Sequence, residues 1–205
     1  MERKEHVALN KALLPDVGLD LEQLYETFVI RARALGTEVY RVRGMSEARD
    51  LVGRLIKEMG AQKVALSESP LLSAADLGRA VAGSGAEVIK GNPREVAETA
   101  DVGISSFEMA VAETGTLVQD ATDINRRLVS MLPPVHLALV PTGCLVATLK
   151  EAINNLAARG QVPGYVAFVS GPSRTADIER VLTIGVHGPG RLAVIFIDEG
   201  GDIVV

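Results

Sequence analysis

The apolar positions near the start of the chain follow a helical spacing. Over residues 21–35 they recur every three or four positions, and Gly36 follows them as a helix stop. Asp20 stands where it can cap this helix by accepting a hydrogen bond from the free N–H groups of the first turn. The pattern of residues 1–14 predicts a less regular helix that precedes this one. We therefore expect residues 1–36 to form an N-terminal helical segment packed on the core.

Between Gly36 and residue 104, short apolar runs alternate with segments of helical periodicity. The predicted helices are 46–59, 71–81 and a helical turn at 93–98, and the predicted strands are TEVYRV, KVALS, AEVIK and ADVGIS. This alternation is typical of a largely parallel sheet with helices on both faces. It predicts an α/β fold with a Rossmann-like three-layer core.

After residue 104 the pattern becomes richer in strands. The candidate strands are MAVAE, GTLVQD, VHLALV, GYVAFVS and RLAVIFID, with one helix at 145–158. No internal repeat, low-complexity tract or linker marks a domain boundary. One continuous sheet within a single α/β domain over residues 37–205 is the simplest interpretation.

Composition narrows the classes of function. The chain has 205 residues, of which 47% are hydrophobic, enough for a substantial core. Its single cysteine cannot supply the several thiolates of an iron–sulfur cluster or a thiolate-rich metal site. The net charge of −5 argues against broad nucleic-acid binding. Because the chain shows no signal-peptide pattern and no apolar run of the ~20 residues that span a bilayer, a cytoplasmic location is expected.

The clearest candidate site is SGPSRTADIE, which follows the predicted strand GYVAFVS. A helix beginning here would direct free N–H groups at an anion, and ligands bind at the carboxyl ends of strands in parallel sheets. Gly171 allows close approach to the ligand, Ser173 and Thr175 stand at the helix start, and Arg174 adds a bidentate clamp. Asp177 is a candidate catalytic carboxylate. The structural alternative is that the hydroxyls cap the helix and Asp177 only favours its positive dipole.

Two further motifs carry candidate acid–base groups. In GVHGPG, His187 titrates near neutrality, and it either transfers protons or only bonds within a glycine-rich turn. In AETGT, Glu113 is a candidate base or nucleophile. Thr114, Gly115 and Thr116 are candidate ligand contacts beside it. The alternative is an ordinary exposed hairpin turn.

Other polar positions rank lower. His136 begins an apolar strand, where it is a candidate ligand contact or, more simply, a structural histidine with satisfied hydrogen bonds. Asn125, Arg126 and Arg127 either line a cleft or belong to solvated surface. The three histidines are far apart in sequence, so no metal site is predicted. GxxxxGKS/T, HExxH, GxSxG and CxxC signatures are absent.

Together, AETGT, the P-V-H strand start, SGPSRTADIE and GVHGP resemble the lactate-utilization (LUD) domain family, in its lactate utilization protein C branch. The order and spacing of the motifs agree over residues 101–198. The resemblance implies a fold similar to the sugar-phosphate isomerase and CoA-transferase (NagB/RpiA/CoA transferase-like) superfamily. It also implies a part in bacterial conversion of L-lactate to pyruvate, alongside separate iron–sulfur proteins. The positions it marks, without assigning roles, are Glu113, Thr114, Gly115, Thr116, Gly171, Pro172, Ser173, Arg174, Thr175, Asp177, Glu179, His187, Gly188 and Pro189.

Three functions are open. The first is a component of L-lactate oxidation that acts with iron–sulfur proteins and binds a small anionic ligand through Arg174, while His187 and Glu113 handle protons in a shared cleft. No cofactor of its own is expected, because nothing in the chain accepts electrons. The second is a stand-alone isomerase or acyl/CoA-transferase-like enzyme that uses Glu113. The third is a non-catalytic assembly or regulatory subunit; formation of a homo-oligomer is left open.

Overall fold

The helix predicted near the start of the chain is present as α1 (Leu21–Ala34) in the computed structural model, which describes residues 20–160, 162–175, 183–185 and 188–199. Phe28 and Ala32 are its buried side chains. Asp20 is at the N-cap in extended conformation, but its side chain accepts no capping hydrogen bond from the described helix. The predicted Asp20 cap is therefore wrong. The leading helix predicted at 1–14 lies outside the described residues.

A parallel six-stranded sheet forms the centre of the protein. Its strands, in spatial order, are β1 (Glu38–Val42), β12 (Arg191–Ile197), β7 (Val135–Pro141), β4 (Val102–Ser106), β2 (Lys63–Leu66) and β3 (Glu87–Val88). Every pairing in this sheet is parallel. The central strands read as continuous apolar runs because both faces of a parallel sheet are covered. The predicted α/β fold class is confirmed.

Helices cover both faces of this sheet. One face packs against α2 (Met45–Met59), α3 (Pro70–Ala74) and α4 (Leu77–Ser84), and the other packs against α1, α5 (Pro93–Thr99) and α6 (Ile124–Met131). The single helix predicted at 71–81 is wrong, since Asp76 takes a left-handed backbone with φ 49° and separates α3 from α4. None of the helices formed by the described residues has the length and apolar character needed to cross a membrane.

A second, mixed sheet packs on the α1 face. Its strand order is β8 (Leu145–Val146), β5 (Met109–Val111), β6 (Thr116–Asp120) and β9 (Val166–Val169), and α7 (Leu149–Ala158) covers its outer side. A short pair, β10 (Arg174–Thr175) and β11 (Thr183–Ile184), is separate from both sheets. The expectation of one continuous sheet is therefore wrong. The helix predicted at 145–158 begins only at Leu149, because its first residues pair in β8.

The amino-terminal and carboxyl-terminal ends of the central strands, called the amino edge and the carboxyl edge of the sheet below, have different surroundings. The chain passes from the C-terminal end of α1 into β1 within a few residues, so this end of α1 lies at the amino edge of the sheet. The loop before β12 is at the same edge, where the N–H of Gly190 donates to the carbonyl of Pro134, just before β7. Glu108, Thr142 and Asp198 follow the ends of β4, β7 and β12, at the carboxyl edge.

Candidate functional site

The carboxylate of Glu113 lies at the N-terminus of α7. Its Oε1 accepts a hydrogen bond of 2.6 Å from the backbone N–H of Leu149, while Thr148 Oγ1 accepts from the N–H of Glu151 at 3.2 Å. Glu151 in turn accepts from the N–H of Ala147 at 2.8 Å. A carboxylate at a helix N-terminus is stabilised by free N–H groups and by the helix dipole. The exposed side chain of Glu113 thus anchors α7, and its role as a base stays a prediction.

The rest of the AETGT motif fixes the β5–β6 hairpin against α1. Gly115 has φ 65°, and a Cβ at this position would lie 2.5 Å from the backbone nitrogen of Ala32. Only glycine therefore allows this turn to approach the helix so closely. The Thr116 hydroxyl lies 2.7 Å from that of Ser170, at the end of β9. Thr114 is exposed at the turn.

Gly171 and Arg174 contact the same end of α1. Gly171 has φ 79°, and a Cβ here would lie 3.0 Å from the carbonyl oxygen of Leu35. Nη2 of Arg174 donates a hydrogen bond of 2.6 Å to that same carbonyl. A cation at a helix C-terminus compensates carbonyls that have no partner within the helix. The guanidinium is exposed, and its other N–H groups make no hydrogen bond to the described residues.

The backbone around Ser173 is extended rather than helical. The N–H of Ser173 donates to the carbonyl of Pro189 at 2.8 Å, and its own carbonyl accepts from Gly185 at 2.9 Å. The next two residues form β10, which includes Thr175. Because β9 belongs to the mixed sheet, the predicted strand-to-helix switch at the carboxyl end of a parallel strand is wrong. The segment lies instead at the amino edge of the central sheet.

The predicted cleft of Glu113, Arg174 and His187 is only partly described. The hairpin of Glu113 and the guanidinium of Arg174 both reach the last turn of α1, but their charged groups have different partners, in α7 and α1. His187 lies outside the described residues, as does Asp177. The shared cleft therefore stays a prediction.

His136 is completely buried inside the protein. Its Nε2 lies 2.8 Å from the Ser105 hydroxyl, and Nε2 of Gln119 donates to that hydroxyl at 3.3 Å and to the carbonyl of Ser106 at 2.9 Å. Burial lowers the pKa of His136 to about 3. The ring is therefore neutral and enclosed, but its buried Nδ1 has no hydrogen-bond partner among the described residues, so the alternative of a fully satisfied structural histidine is not met. Its role as a ligand contact stays a prediction.

An ion pair that sequence reasoning missed lies at the carboxyl edge of the central sheet. Oε1 of Glu108 accepts a hydrogen bond of 2.6 Å from Nη2 of Arg126, and the side chains are only 6% and 15% exposed. The N–H of Asp120 donates to the other carboxylate oxygen at 2.7 Å, and Arg126 also donates to the carbonyl of Ser106 at 3.2 Å. Burial raises the pKa of Glu108, and the charge of Arg126 opposes this effect.

A signal for this pair was present in the sequence. Glu108 is the one charged residue in the apolar run ISSFEMAV, where a buried carboxylate needs a partner. Arg126 was predicted to line a cleft or to lie on solvated surface, with no helix predicted there. The segment is the helix α6, begun by an Asp123 side chain that accepts from the N–H of Arg126 at 3.0 Å.

Asp198 is the centre of a second cluster of polar side chains at the carboxyl edge. Its Oδ1 accepts from Nε of Arg41 and from the hydroxyl of Thr142, each at 2.8 Å. Arg41 also donates to Glu22 at 2.7 Å and lies 4.6 Å above the ring of Tyr25, so the cluster ties the start of α1 to the sheet. Among the described residues, no group of three or more His, Cys, Asp or Glu side chains is arranged to hold a metal ion.

The fold and these contacts define an α/β protein in which a mixed sheet and α1 are locked together by glycine-rich motifs. The sequence profile of the LUD domain family matches residues 25–197, so the chain belongs to the LUD domain family. The resemblance inferred from the motifs is therefore confirmed.

Individual relatives agree with this assignment. The chain is 41% identical over 108 residues to lactate utilization protein C of Shouchella clausii, covering 51% of this chain and 47% of that protein. It is 44% identical over 107 residues to lactate utilization protein C 1 of Bacillus mycoides, covering 50% and 46%. The chain thus spans about half the length of the curated relatives it matches. A crystal structure of a DUF162 family protein from Deinococcus radiodurans is similar with a TM-score of 0.64 and 26% identity, covering 87% of this chain and 99% of that one.

Proposed function

We propose that this protein takes part in bacterial lactate utilization, as a component of the oxidation of L-lactate to pyruvate that acts with separate iron–sulfur proteins. The observation that carries the proposal is its similarity to proteins named lactate utilization protein C, at 37 to 44% identity. Family membership over residues 25–197 supports it. Fold alone does not assign chemistry, so the proposal depends on these relatives and on the residues that the motifs share.

The chemistry of the reaction explains why partners are needed. Oxidising a 2-hydroxy acid removes the hydroxyl proton and a hydride equivalent, and the electrons need an acceptor. The single cysteine of this chain, Cys144, cannot ligate an iron–sulfur cluster by itself. In this proposal the electrons pass to the separate iron–sulfur proteins, and this chain contributes binding and proton transfer.

The ligand in this proposal is a small anion held at the amino edge of the sheet. One N–H of Arg174 donates to the carbonyl of Leu35. The guanidinium has further N–H groups that can donate to a carboxylate or a phosphate. A Cβ at Gly188 would lie 3.1 Å from that of Ser173, so the GVHGP and SGPSRT motifs are in contact. This contact supports a common site that includes Ser173 and His187, with Glu113 in the neighbouring hairpin as a second proton carrier.

Reconstitution tests the proposal. The purified protein is combined with the iron–sulfur proteins of its own host, and L-lactate-dependent pyruvate formation is followed together with reduction of a dye. We expect turnover only in the complete mixture, and a raised KM for L-lactate when Arg174→Ala replaces the wild type. Arg94→Ala, which changes an exposed arginine on α5, is the matched control. Equal turnover without this protein would contradict the proposal, and unchanged kinetics of Arg174→Ala would favour a subunit that only assists assembly.

A further inference from the structure

The carboxyl edge of the central sheet carries a second polar site, on the opposite edge from Arg174. Ligands of open parallel sheets bind at the carboxyl ends of the strands. The Glu108–Arg126 pair stands there, directly after β4. Taking two charges out of water is costly, and buried carboxylates with perturbed protonation concentrate at functional sites. This pair therefore merits a functional explanation as well as a structural one.

Several buried polar atoms around this pair lack a hydrogen-bond partner within the described residues, including the acceptor Oε1 of Gln119. Nε of Arg126 and Nη2 of Arg159 are buried, and neither has a hydrogen-bond partner among the described residues. Arg159 ends α7, and its charge acts on the buried thiol of Cys144, as does the charge of Glu108. Of the N–H groups of Arg126, Glu108 accepts only from Nη2, so a carboxylate that also accepts from Nε would satisfy the missing hydrogen bond.

We propose that Arg126 is the binding group of a site for a small carboxylic acid, in which the carboxylate of the ligand replaces that of Glu108 on the guanidinium. Glu108 takes up one proton from solvent in the exchange. The ligand class follows from the partner that Arg126 already has, because a carboxylate of similar geometry forms the same bonds. The proposal is independent of the role in lactate utilization, and it uses none of the residues at the amino edge.

The proton uptake follows from burial. In the absence of ligand, burial has the largest effect on the pKa of Glu108 and raises it, while Arg126 and the N–H of Asp120 lower it and favour the ionised form. Once the ligand takes over Arg126, the carboxyl group remains enclosed without its cation, and the neutral form is favoured. One anion and one proton enter together, so the net charge of the site does not change.

The proton taken up on binding is assigned to Glu108 after comparison with the other polar and charged groups around it. By element, they are Arg126 on α6, Asp120 at the end of β6, Cys144 after β7, Arg159 at the end of α7, and His136 on β7, which joins through Ser105 and Gln119. Burial raises the pKa of Cys144 to about 11 and lowers that of His136 to about 3, so both stay neutral near pH 7. Asp120 Oδ1 accepts from the N–H of Thr122 at 3.0 Å.

Calorimetric titration with acetate, pyruvate and L-lactate tests the proposal, in buffers that differ in ionisation enthalpy. The wild type should take up protons on binding, up to one per ligand, and its affinity should fall as pH rises through the pKa of Glu108 in the bound state. Glu108→Gln should bind at least as tightly with no proton uptake, because a neutral amide does not compete for Arg126. Arg126→Lys should bind roughly tenfold more weakly, since it lacks the planar fork. Glu98→Gln breaks the exposed Arg94–Glu98 pair and should change nothing.

Three results would overturn the proposal: no binding of any of the three acids to the wild type, proton uptake that persists in Glu108→Gln, or unchanged binding by Arg126→Lys. If Glu108→Gln does not fold, the proton uptake of the wild type and the affinity of Arg126→Lys decide. Binding of acetate with proton uptake but without preference for L-lactate supports this site, and it leaves the lactate role to the reconstitution.

Discussion

Nη2 of Arg174 donates a 2.6 Å hydrogen bond to the main-chain oxygen of Leu35, the residue that ends α1, across 139 positions of sequence. Gly171 packs against the same residue, and Gly115 packs against Ala32 one turn earlier. Two motifs that carry the family resemblance thus converge on the C-terminal end of one helix. Their residues join α1 to the mixed sheet, in addition to any role in binding.

Replacing Arg174 by alanine should lower the free energy of unfolding by roughly 1 kcal/mol, because α1 loses the donor to its last carbonyl and the cation at its negative end. Urea denaturation measures this change. The matched variant Arg94→Ala removes an exposed ion pair within α5 and should change stability by less than about 0.5 kcal/mol. Equal effects of the two variants would contradict the anchoring role of Arg174.

Gly115→Ala should be much more damaging. The new Cβ would lie 2.5 Å from backbone atoms of α1, at a residue with φ 65°. Strain at positive φ and overpacking together predict a loss of roughly 3 kcal/mol, measured as a shift of the urea midpoint. Gly78→Ala is the control, since a Cβ in α4 meets nothing within 4 Å and alanine favours helix. A tolerated Gly115→Ala would show that the hairpin does not pack on α1 as described.

The helices and strands with clear periodicity were predictable, but their partners were not. The repeating apolar positions of α2 and the continuous runs of β7 and β12 appear at their predicted places. The pattern of β9 was equally clear, yet its partner β6 is remote in sequence, so nothing local showed that it leaves the central sheet. The break at Asp76 was hidden because apolar spacing continues across it.

Glu113 has two possible roles, a cap of α7 and a base in the reaction. Unfolding stability and turnover of Glu113→Gln distinguish them. As a cap, the side chain accepts from Leu149 at an exposed site, and its change should cost roughly 0.5 to 1 kcal/mol. If Glu113 is a base, the Glu113→Gln substitution should lower turnover in the reconstituted system by about a hundredfold or more. Loss of stability with unchanged turnover would confine Glu113 to the anchoring of α7.

His136 should make folding stability depend on pH. Its folded pKa of about 3 lies below the ordinary value of 6.5, so the unfolded chain binds the proton first as pH falls. The stabilisation is complete above pH 6.5 and is lost progressively toward pH 3. Between pH 7.5 and pH 5 this residue alone should remove about 2 kcal/mol.

His136→Gln isolates this contribution, because glutamine keeps a polar group near Ser105 but does not titrate. Urea unfolding of both proteins at several pH values gives the two slopes. The slope of the variant should be smaller by the amount stated for the wild type. Identical slopes would mean that the ring takes up its proton as readily in the folded protein as in the unfolded chain, against the enclosed site seen here.

Of the candidate sites, the sequence indicated the motifs but not their surroundings. AETGT and SGPSRT were found because their glycines and polar residues stand out between apolar strands. Their contact with α1 depends on the packing of remote segments, which local pattern does not encode. The Glu108–Arg126 pair joins positions on different elements, so only the isolated charge in ISSFEMAV pointed to it.

Growth on L-lactate is the measurement that decides whether this protein takes part in lactate utilization. The gene is deleted in its host, and growth with L-lactate as the carbon source is compared with growth on pyruvate, with and without a plasmid copy. A part in lactate utilization predicts loss of growth on L-lactate only, restored by the wild-type copy. Normal growth of the deletion strain on L-lactate, in a host without a second copy of the gene, would contradict the account.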